Sequence, residues 1–314
     1  MNDYQLPSTS LLKTYQPDYA FLPNANFVSM HSVISSDEFQ NEQSMALPIV
    51  LGRSLDGKVQ MMDLAKTHHL LVAGLDFVFS DLSYCLNSII VPLIFKKKAE
   101  EVQFVDLGSS HLKVYSNWLR PYFYRMRGRV EHGDSKLNIV SSLKQTIAIT
   151  LLDKELDRRF ELLELHNCNN IDEYNSLIDN SINKLPYLVV IAENLLDYIN
   201  DWKPKEKDMV MPILRKLLEK AHVVGVHIVF YEWTIYKDVR VLKNLLDLLP
   251  YRIAYLINET GPCNTIIGNK DPQHLGIDNG NTIFYDKGGL THMVSPFMEK
   301  EELVALGKHI KEQI

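Results

Sequence analysis

The chain is poor in cysteine, in net positive charge and in long apolar runs. Its 314 residues include 3 cysteines, at positions 85, 168 and 263. They are far apart and odd in number, form no metal motif and suggest a reducing compartment. Lys and Arg total 33 against 39 Asp and Glu, for a formal charge of -6. That balance argues against broad sequence-independent DNA binding by an isolated monomer, although it leaves room for a local basic patch. The longest apolar runs, 89–95 and 188–192, fall far short of the roughly 20 residues that span a bilayer. The first residues, MNDYQLPSTSLLKTYQ, lack the basic-then-apolar pattern of a signal peptide. The expectation is a cytoplasmic protein without membrane insertion. What is present is ordinary globular material, 46% hydrophobic and 23% charged, enough for one large domain or two small ones.

Residues 1–45 differ from the rest. They are rich in Ser, Asn, Pro and Tyr, and they read as an extended arm with one short helix capped by Ser36. Their apolar residues, Leu6, Leu11, Leu12, Phe21 and Phe27, suggest that the arm lies on the main domain. From 46 to 314 strands and helices alternate. Short apolar runs at 69–74, 102–108, 187–194 and 226–233 predict buried parallel strands, after an earlier strand at 47–52. Helical spacing occupies 81–95, 141–166, 208–223 and 299–314, and late strands at 250–257 and 282–286 precede a turn at Gly288 and Gly289. The pattern predicts a three-layer α/β fold, a mostly parallel sheet covered by helices on both faces, with late antiparallel strands. Sites in such sheets lie at the carboxyl ends of strands, so the positions just after Ala73, Val105, Ala192 and Phe230 matter most.

Several segments in this order resemble one family. LPIVLGRSLDGKVQMMDLAKTHHLLVAG at 47–74 is similar to the segment that leads into the phosphate-binding loop of FtsK/SpoIIIE DNA-translocating ATPases. FVDLGSSHLKVY at 104–115, ELDRRFELL at 155–163, LPYLVVIAENLLDYI at 185–199 and AHVVGVHIVFYEW at 221–233 resemble its later elements in register. The resemblance implies a RecA-like P-loop NTPase fold, ring assembly, and ATP with Mg²⁺ as the nucleotide chemistry of active members.

The chemistry departs from that pattern. A phosphate-binding loop needs G-x-x-x-x-G-K-[ST], whose backbone wraps the phosphates and whose Lys neutralises them. Gly74 holds the first position, but Phe79, Ser80 and Asp81 hold the second Gly, Lys and hydroxyl positions. The loop carries no positive charge, and Asp76 and Asp81 would repel a triphosphate. Ser80 or Asp81 is expected to cap the following helix in place of phosphate. The Walker B pair, Asp-Glu in the family, is here Glu193 and Asn194, or Ala192 and Glu193 if the register shifts by one. Asn cannot act as a general base, and Ala cannot ligate a metal. The family's Gln-containing sensor stretch reads Tyr231, Glu232, Trp233.

Other features have competing readings. Arg158 and Arg159 match the family's paired arginines; the favoured expectation is a solvated, salt-bridged helix face with Glu155. The stretch 118–133 interleaves Arg120, Arg125, Arg127 and Arg129 with Trp118, Tyr122, Phe123 and Tyr124. Such a mixture suits a partner protein, nucleic acid or an ordinary exposed hairpin, in that order for the first two. His68 and His69 read as hydrogen-bonded core residues rather than metal ligands, and no second cluster at metal spacing accompanies them. Ser109, Ser110 and His111 lack the flanking glycines of a nucleophile elbow. The expectation is therefore a non-hydrolysing FtsK/SpoIIIE-like binding or assembly subunit with no cofactor, which self-associates or joins an active FtsK-like subunit. Two alternatives remain. One is a live ATP-driven DNA translocase whose lysine comes from Lys66, Lys113 or a neighbouring chain. The other is a nucleic-acid-binding module using 118–133.

Overall fold

Four of the apolar runs become adjacent parallel strands, and the reason is burial on both faces. A computed structural model describes residues 5–13, 28–75, 83–107, 111–124, 142–180, 183–233, 239–276 and 280–313. The strands are β1 (Pro48–Ser54), β2 (Val59–Asp63), β3 (Leu70–Ala73), β4 (Val102–Asp106), β5 (Tyr187–Glu193), β6 (Val226–Glu232), β7 (Arg252–Ala254), β8 (Asn281–Asp286) and β9 (Gly289–Val294). They form one nine-stranded sheet in the order β2-β1-β9-β8-β7-β3-β6-β5-β4. The helices are α1 (Met30–Ile34), α2 (Asp37–Asn41), α3 (Leu64–Thr67), α4 (Tyr84–Lys96), α5 (Leu112–Trp118) and α6 (Ser142–Leu165), then α7 (Ile171–Leu177), α8 (Leu195–Asp201), α9 (Pro204–Lys220), α10 (Arg240–Lys243), α11 (Thr260–Ile266) and α12 (Lys300–Glu312).

The side-chain period of two divides each central strand between two cores. Leu70, Val72, Phe104, Val189, Ile191 and Val229 face a cluster shared with α4, α5 and α12. Their sequence neighbours Leu71, Val105, Val190, Ala192, Ile228 and Phe230 face a second cluster with α6, α8 and α9. The expected three layers are present. The sheet is evenly mixed, however: β7, β3, β6, β5 and β4 run parallel, while β1, β2, β8 and β9 pair antiparallel. The antiparallel part therefore includes the first two strands as well as the late ones. Strand β2 was not legible as a strand because VQMMD lacks a long apolar run.

Among the described residues of the first 45, two short α-helices and a 3-10 turn at Thr9–Leu11 stand where one helix was expected. Ser36 caps α2 as predicted, its hydroxyl accepting from Phe39 N at 3.3 Å. Ser29 caps α1 in the same way through Ser32 N. Leu12, Met30, Val33, Ile34 and Phe39 are buried in the first core, so these segments do lie on the main body. Phe21 and Phe27 fall outside the described residues. Among the described residues no helix is long and apolar enough to cross a membrane.

Gly225 ends the short 3-10 turn before β6 in the left-handed region, at φ 74. A Cβ there would stand 2.3 Å from Ile171 Cδ1. Both the backbone and the neighbour therefore demand glycine. We expect Gly225→Ala to lower the unfolding free energy by about 1–3 kcal/mol. A urea midpoint equal to wild type would contradict this.

Candidate functional site

Strands β3, β4, β5 and β6 are parallel, so their carboxyl ends meet at one edge, where Ala73 pairs with Glu232 and Glu193 with Tyr231. Crossovers place the exits of these strands together, as sheets of this kind do. Glu193 ends β5 and is 3% exposed. A buried carboxylate stays charged only if donors surround it. Here they come from the exits of the flanking strands. His111, just before α5, donates its backbone N–H to Oε2 at 3.2 Å and Nδ1 to Oε1 at 2.8 Å. A carboxylate can only accept, which places the imidazole proton on Nδ1. Trp233, just past β6, donates its indole N–H to Oε1 at 2.9 Å. The His111 and Trp233 rings meet edge-on, 5.8 Å between centroids.

Asn194 follows in the left-handed conformation, φ 49. Its Oδ1 accepts from Trp233 N at 3.0 Å. Glu232 is buried too, and its carboxylate accepts from Leu196 N at 3.0 Å, at the start of α8. That is the favourable end of a helix for negative charge. Glu193 and Asn194 are thus tied into the fold.

The loop after β3 begins with two engaged amides. Gly74 N donates to Glu232 O at 2.9 Å and Leu75 N to Leu256 O at 2.8 Å. Gly74 has φ 102, and a Cβ would lie 2.7 Å from Leu256 O. Close strand approach alone requires this glycine. Phe79, Ser80 and Asp81, with Asp76, lie outside the described residues. Helix α4 begins at Tyr84 rather than near residue 81, and its cap is Ser83, whose hydroxyl accepts from Leu86 N at 2.9 Å. The expected cap at Ser80 or Asp81 is therefore corrected: Ser83 has the extended backbone that a cap needs. Lys66 precedes β3, at the opposite end from Gly74, and pairs with Asp63. Lys113 is exposed in the first turn of α5, near His111.

The remaining predicted residues gather elsewhere. Arg159 is fully buried, contrary to the expected solvated face. Its Nε donates to Glu155 at 2.9 Å and its Nη1 to Pro186 O and Val224 O, each at 2.9 Å. It thereby ties α6 to the starts of β5 and β6, far from the carboxyl edge. The expected ion pairing is present, since Arg158 also grips Glu155 through Nε and Nη2 at 2.8 and 2.6 Å. Burial alone would raise the Glu155 carboxyl, but its hydrogen bonds from Arg158 and Arg159 hold it below the ordinary value. Tyr122, a candidate contact residue, is also buried, its hydroxyl donating to Lys97 O at 2.9 Å. A core position over β4 rules it out as a surface contact. Arg120 is exposed, and Arg125, Arg127 and Arg129 lie outside the described residues.

His111 and Trp233 were missed as partners of Glu193. The signal was available in part: both lie just past predicted strands, where sites are expected. The His68 and His69 pair joins two further histidines. His68 stacks on His222 at 3.7 Å, and His69 and His227 are buried beside them. His69 Nδ1 accepts from Ile228 N, and His227 Nδ1 donates to His68 O. His69 is thus the hydrogen-bonded core residue expected, whereas His68 is exposed with φ 70. Among the described residues no three His, Cys, Asp or Glu side chains are grouped to hold a metal ion.

The strand order, the two helix layers and the site edge define a RecA-like P-loop NTPase fold. Solved structures agree on that fold. The conjugation coupling protein TcpA of pCW3, solved with ATPγS, superposes with a TM-score of 0.67 at 15% identity, over 92% of this chain and 74% of that one. The cytoplasmic domain of the Thermomonospora curvata type VII secretion ATPase EccC gives 0.69 at 15% identity, over 89% of this chain and 34% of that one. Residues 29–118 match the FtsK/SpoIIIE family, and the chain is similar to DNA translocase FtsK proteins. It is 28% identical over 291 residues to DNA translocase FtsK of Chlorobaculum tepidum, across 91% of this chain and 34% of the relative. The chain spans about a third to two fifths of the length of the curated relatives it matches.

Two outcomes follow from the geometry. Removing Arg159 leaves the Pro186 and Val224 carbonyls without this donor and takes one of the two arginines from Glu155, so Arg159→Ala is expected to lower stability by about 3–5 kcal/mol in urea unfolding. A loss below 1 kcal/mol, on the scale of a surface salt bridge, would contradict the burial. Burial also lowers the His227 imidazole to about 4. Its neutral form is favoured in the fold, so its contribution is intact above the unfolded value near 6.5 and fades as pH falls towards 4. His68, His69 and His222 shift the same way, and for His227 the His68 carbonyl and Asp63 pull in the other direction. Between pH 7.5 and 4.5 His227 alone should remove about 2–3 kcal/mol, and His227→Gln should flatten that part of the profile.

Proposed function

We propose that the chain is a non-hydrolysing FtsK/SpoIIIE-like subunit, a pseudo-ATPase that works by binding and assembly. Residues 46–314 form its RecA-type body and residues 1–45 its arm. The observation that carries the reading is the buried Glu193 carboxylate, which accepts three hydrogen bonds from His111 and Trp233 at the position where an active relative needs a carboxylate facing metal or water. Two features of the sequence agree with it. The loop after Gly74 has no Lys at the position held by Ser80, and no second Gly at that held by Phe79. Asn194 cannot take a proton from water. Lys66 is directed away from this edge by its place before β3.

Motor domains of this family assemble as rings, so the partner is another copy of the chain or an active FtsK-like subunit. A chain that keeps the scaffold without turnover contributes surface and rigidity to such an assembly. The competing reading, a live DNA translocase, draws on the similarity to FtsK proteins and on Lys113, which lies exposed close to the carboxyl edge. It requires ATP and Mg²⁺ at the edge that Glu193 occupies.

Isothermal titration of the intact chain with ATP and Mg²⁺ separates the two. We expect no saturable heat in the micromolar range and no phosphate release, with or without DNA. Micromolar binding, or DNA-stimulated turnover abolished by Glu193→Gln, would falsify the proposal.

A further inference from the structure

At the end of the sheet opposite Glu193, a cleft of about 1190 Å³ opens beside the edge strand β4. It exceeds the roughly 300–1,000 Å³ that a small-molecule site encloses. Arg120, Arg158, Arg159, Lys184 and Lys311 line it, and among the described residues its lining includes no Asp or Glu. In a chain with a formal charge of -6, this is a local reversal of sign. The cations come from four separate places: the segment before Tyr124, helix α6, the loop before β5, and α12. The fold gathers them, and no local run of basic sequence does so.

Glu155 neutralises part of this charge by pairing with Arg158 and Arg159. The other three cations, Arg120, Lys184 and Lys311, are exposed. Arg159 is the anchored floor: three of its bonds go to Glu155, Pro186 and Val224, and its Nη2 has no partner among the described residues. Between the charges the wall is aliphatic and aromatic, with Phe123, Leu162 and Ile178. Two exposed leucines adjoin lining residues in the chain: Leu165, at the end of α6, precedes His166, and Leu177, at the end of α7, precedes Ile178; they are 74% and 60% exposed. Exposed leucines beside a cationic cleft mark a protein-binding surface more than a nucleic-acid one. Phosphate backbones use cations and bases use aromatic faces, but neither uses leucine.

We propose that this cleft is a docking site for an acidic peptide segment of a partner protein, one whose carboxylates meet Arg120, Lys184 and Lys311 and whose apolar side chains lie on Leu162, Ile178 and Leu177. The site is at the amino ends of β4 and β5, so it operates whether or not nucleotide binds at Glu193.

Selection of a random peptide library on the intact chain tests this, followed by fluorescence anisotropy of the enriched peptides. The expected winners combine Asp or Glu with apolar residues. The double change Arg120→Glu with Lys184→Glu should weaken them about tenfold or more, and Leu177→Asp should weaken them separately. Both variants alter exposed side chains, and an unchanged thermal melt confirms that they are folded. Three results would overturn the proposal: enriched peptides without acidic residues, acidic peptides whose affinity ignores these substitutions, or a fluorescent oligo-dT that binds more tightly than any peptide and is lost on the same changes. The last result would assign the cleft to single-stranded nucleic acid.

Discussion

A carboxylate removed from water must be surrounded by donors, and the placement of Glu193 organises one whole edge of this protein around that requirement. His111 reaches it from the exit of β4 and Trp233 from the exit of β6. Trp233 is itself fixed through Asn194, and Glu232 next to it holds the start of α8. Gly74 N bonds back to Glu232 O, which brings the exit of β3 into the same set. Four strand ends are thus joined by bonds that each satisfy a buried group. In an active relative this edge must stay open to phosphate, metal and water. Here the described residues of this edge bond to one another.

The opposite end of the sheet obeys the same rule with the sign reversed. Arg159 is buried and positive, and it is satisfied by Glu155 and two strand-leading carbonyls. In the histidine cluster beside β3 and β6, His69 and His227 are buried and burial lowers both imidazoles, with His69 accepting from Ile228 N and His227 donating to His68 O. The cleft at this end is lined by the cations Arg120, Lys184 and Lys311, which are exposed. The two ends therefore differ: at one the charged group is buried among internal bonds, at the other charged side chains reach the surface.

Much of the fold was legible because parallel strands buried on both faces read as unbroken apolar runs, as at 69–74 and 187–194. The long helix over 141–166 was legible for a different reason, its sustained helical spacing, and it is observed at Ser142–Leu165. Short elements such as α5 and α8 span two turns each, too few for a period to show. Strand β2 pairs with β1 through backbone bonds that a sequence like VQMMD does not advertise. Arg159 was misread because spacing to Glu155 reveals an ion pair but not which side of the helix faces the sheet. Tyr122 was misread likewise, since its burial depends on the 3-10 turn that folds it over β4. Glu193 could be singled out from sequence as a strand-end carboxylate, but its donors could not. They come from residues 82 and 40 positions away in the chain, and only the strand order brings them together.

The most direct test of the closed edge is an experimental structure of the intact chain prepared with saturating ADP and Mg²⁺. The account predicts Glu193 still bound to His111 and Trp233, with no nucleotide density beside Gly74. Diphosphate density on the main-chain amides that follow Gly74, with Glu193 turned away from Trp233, would contradict it.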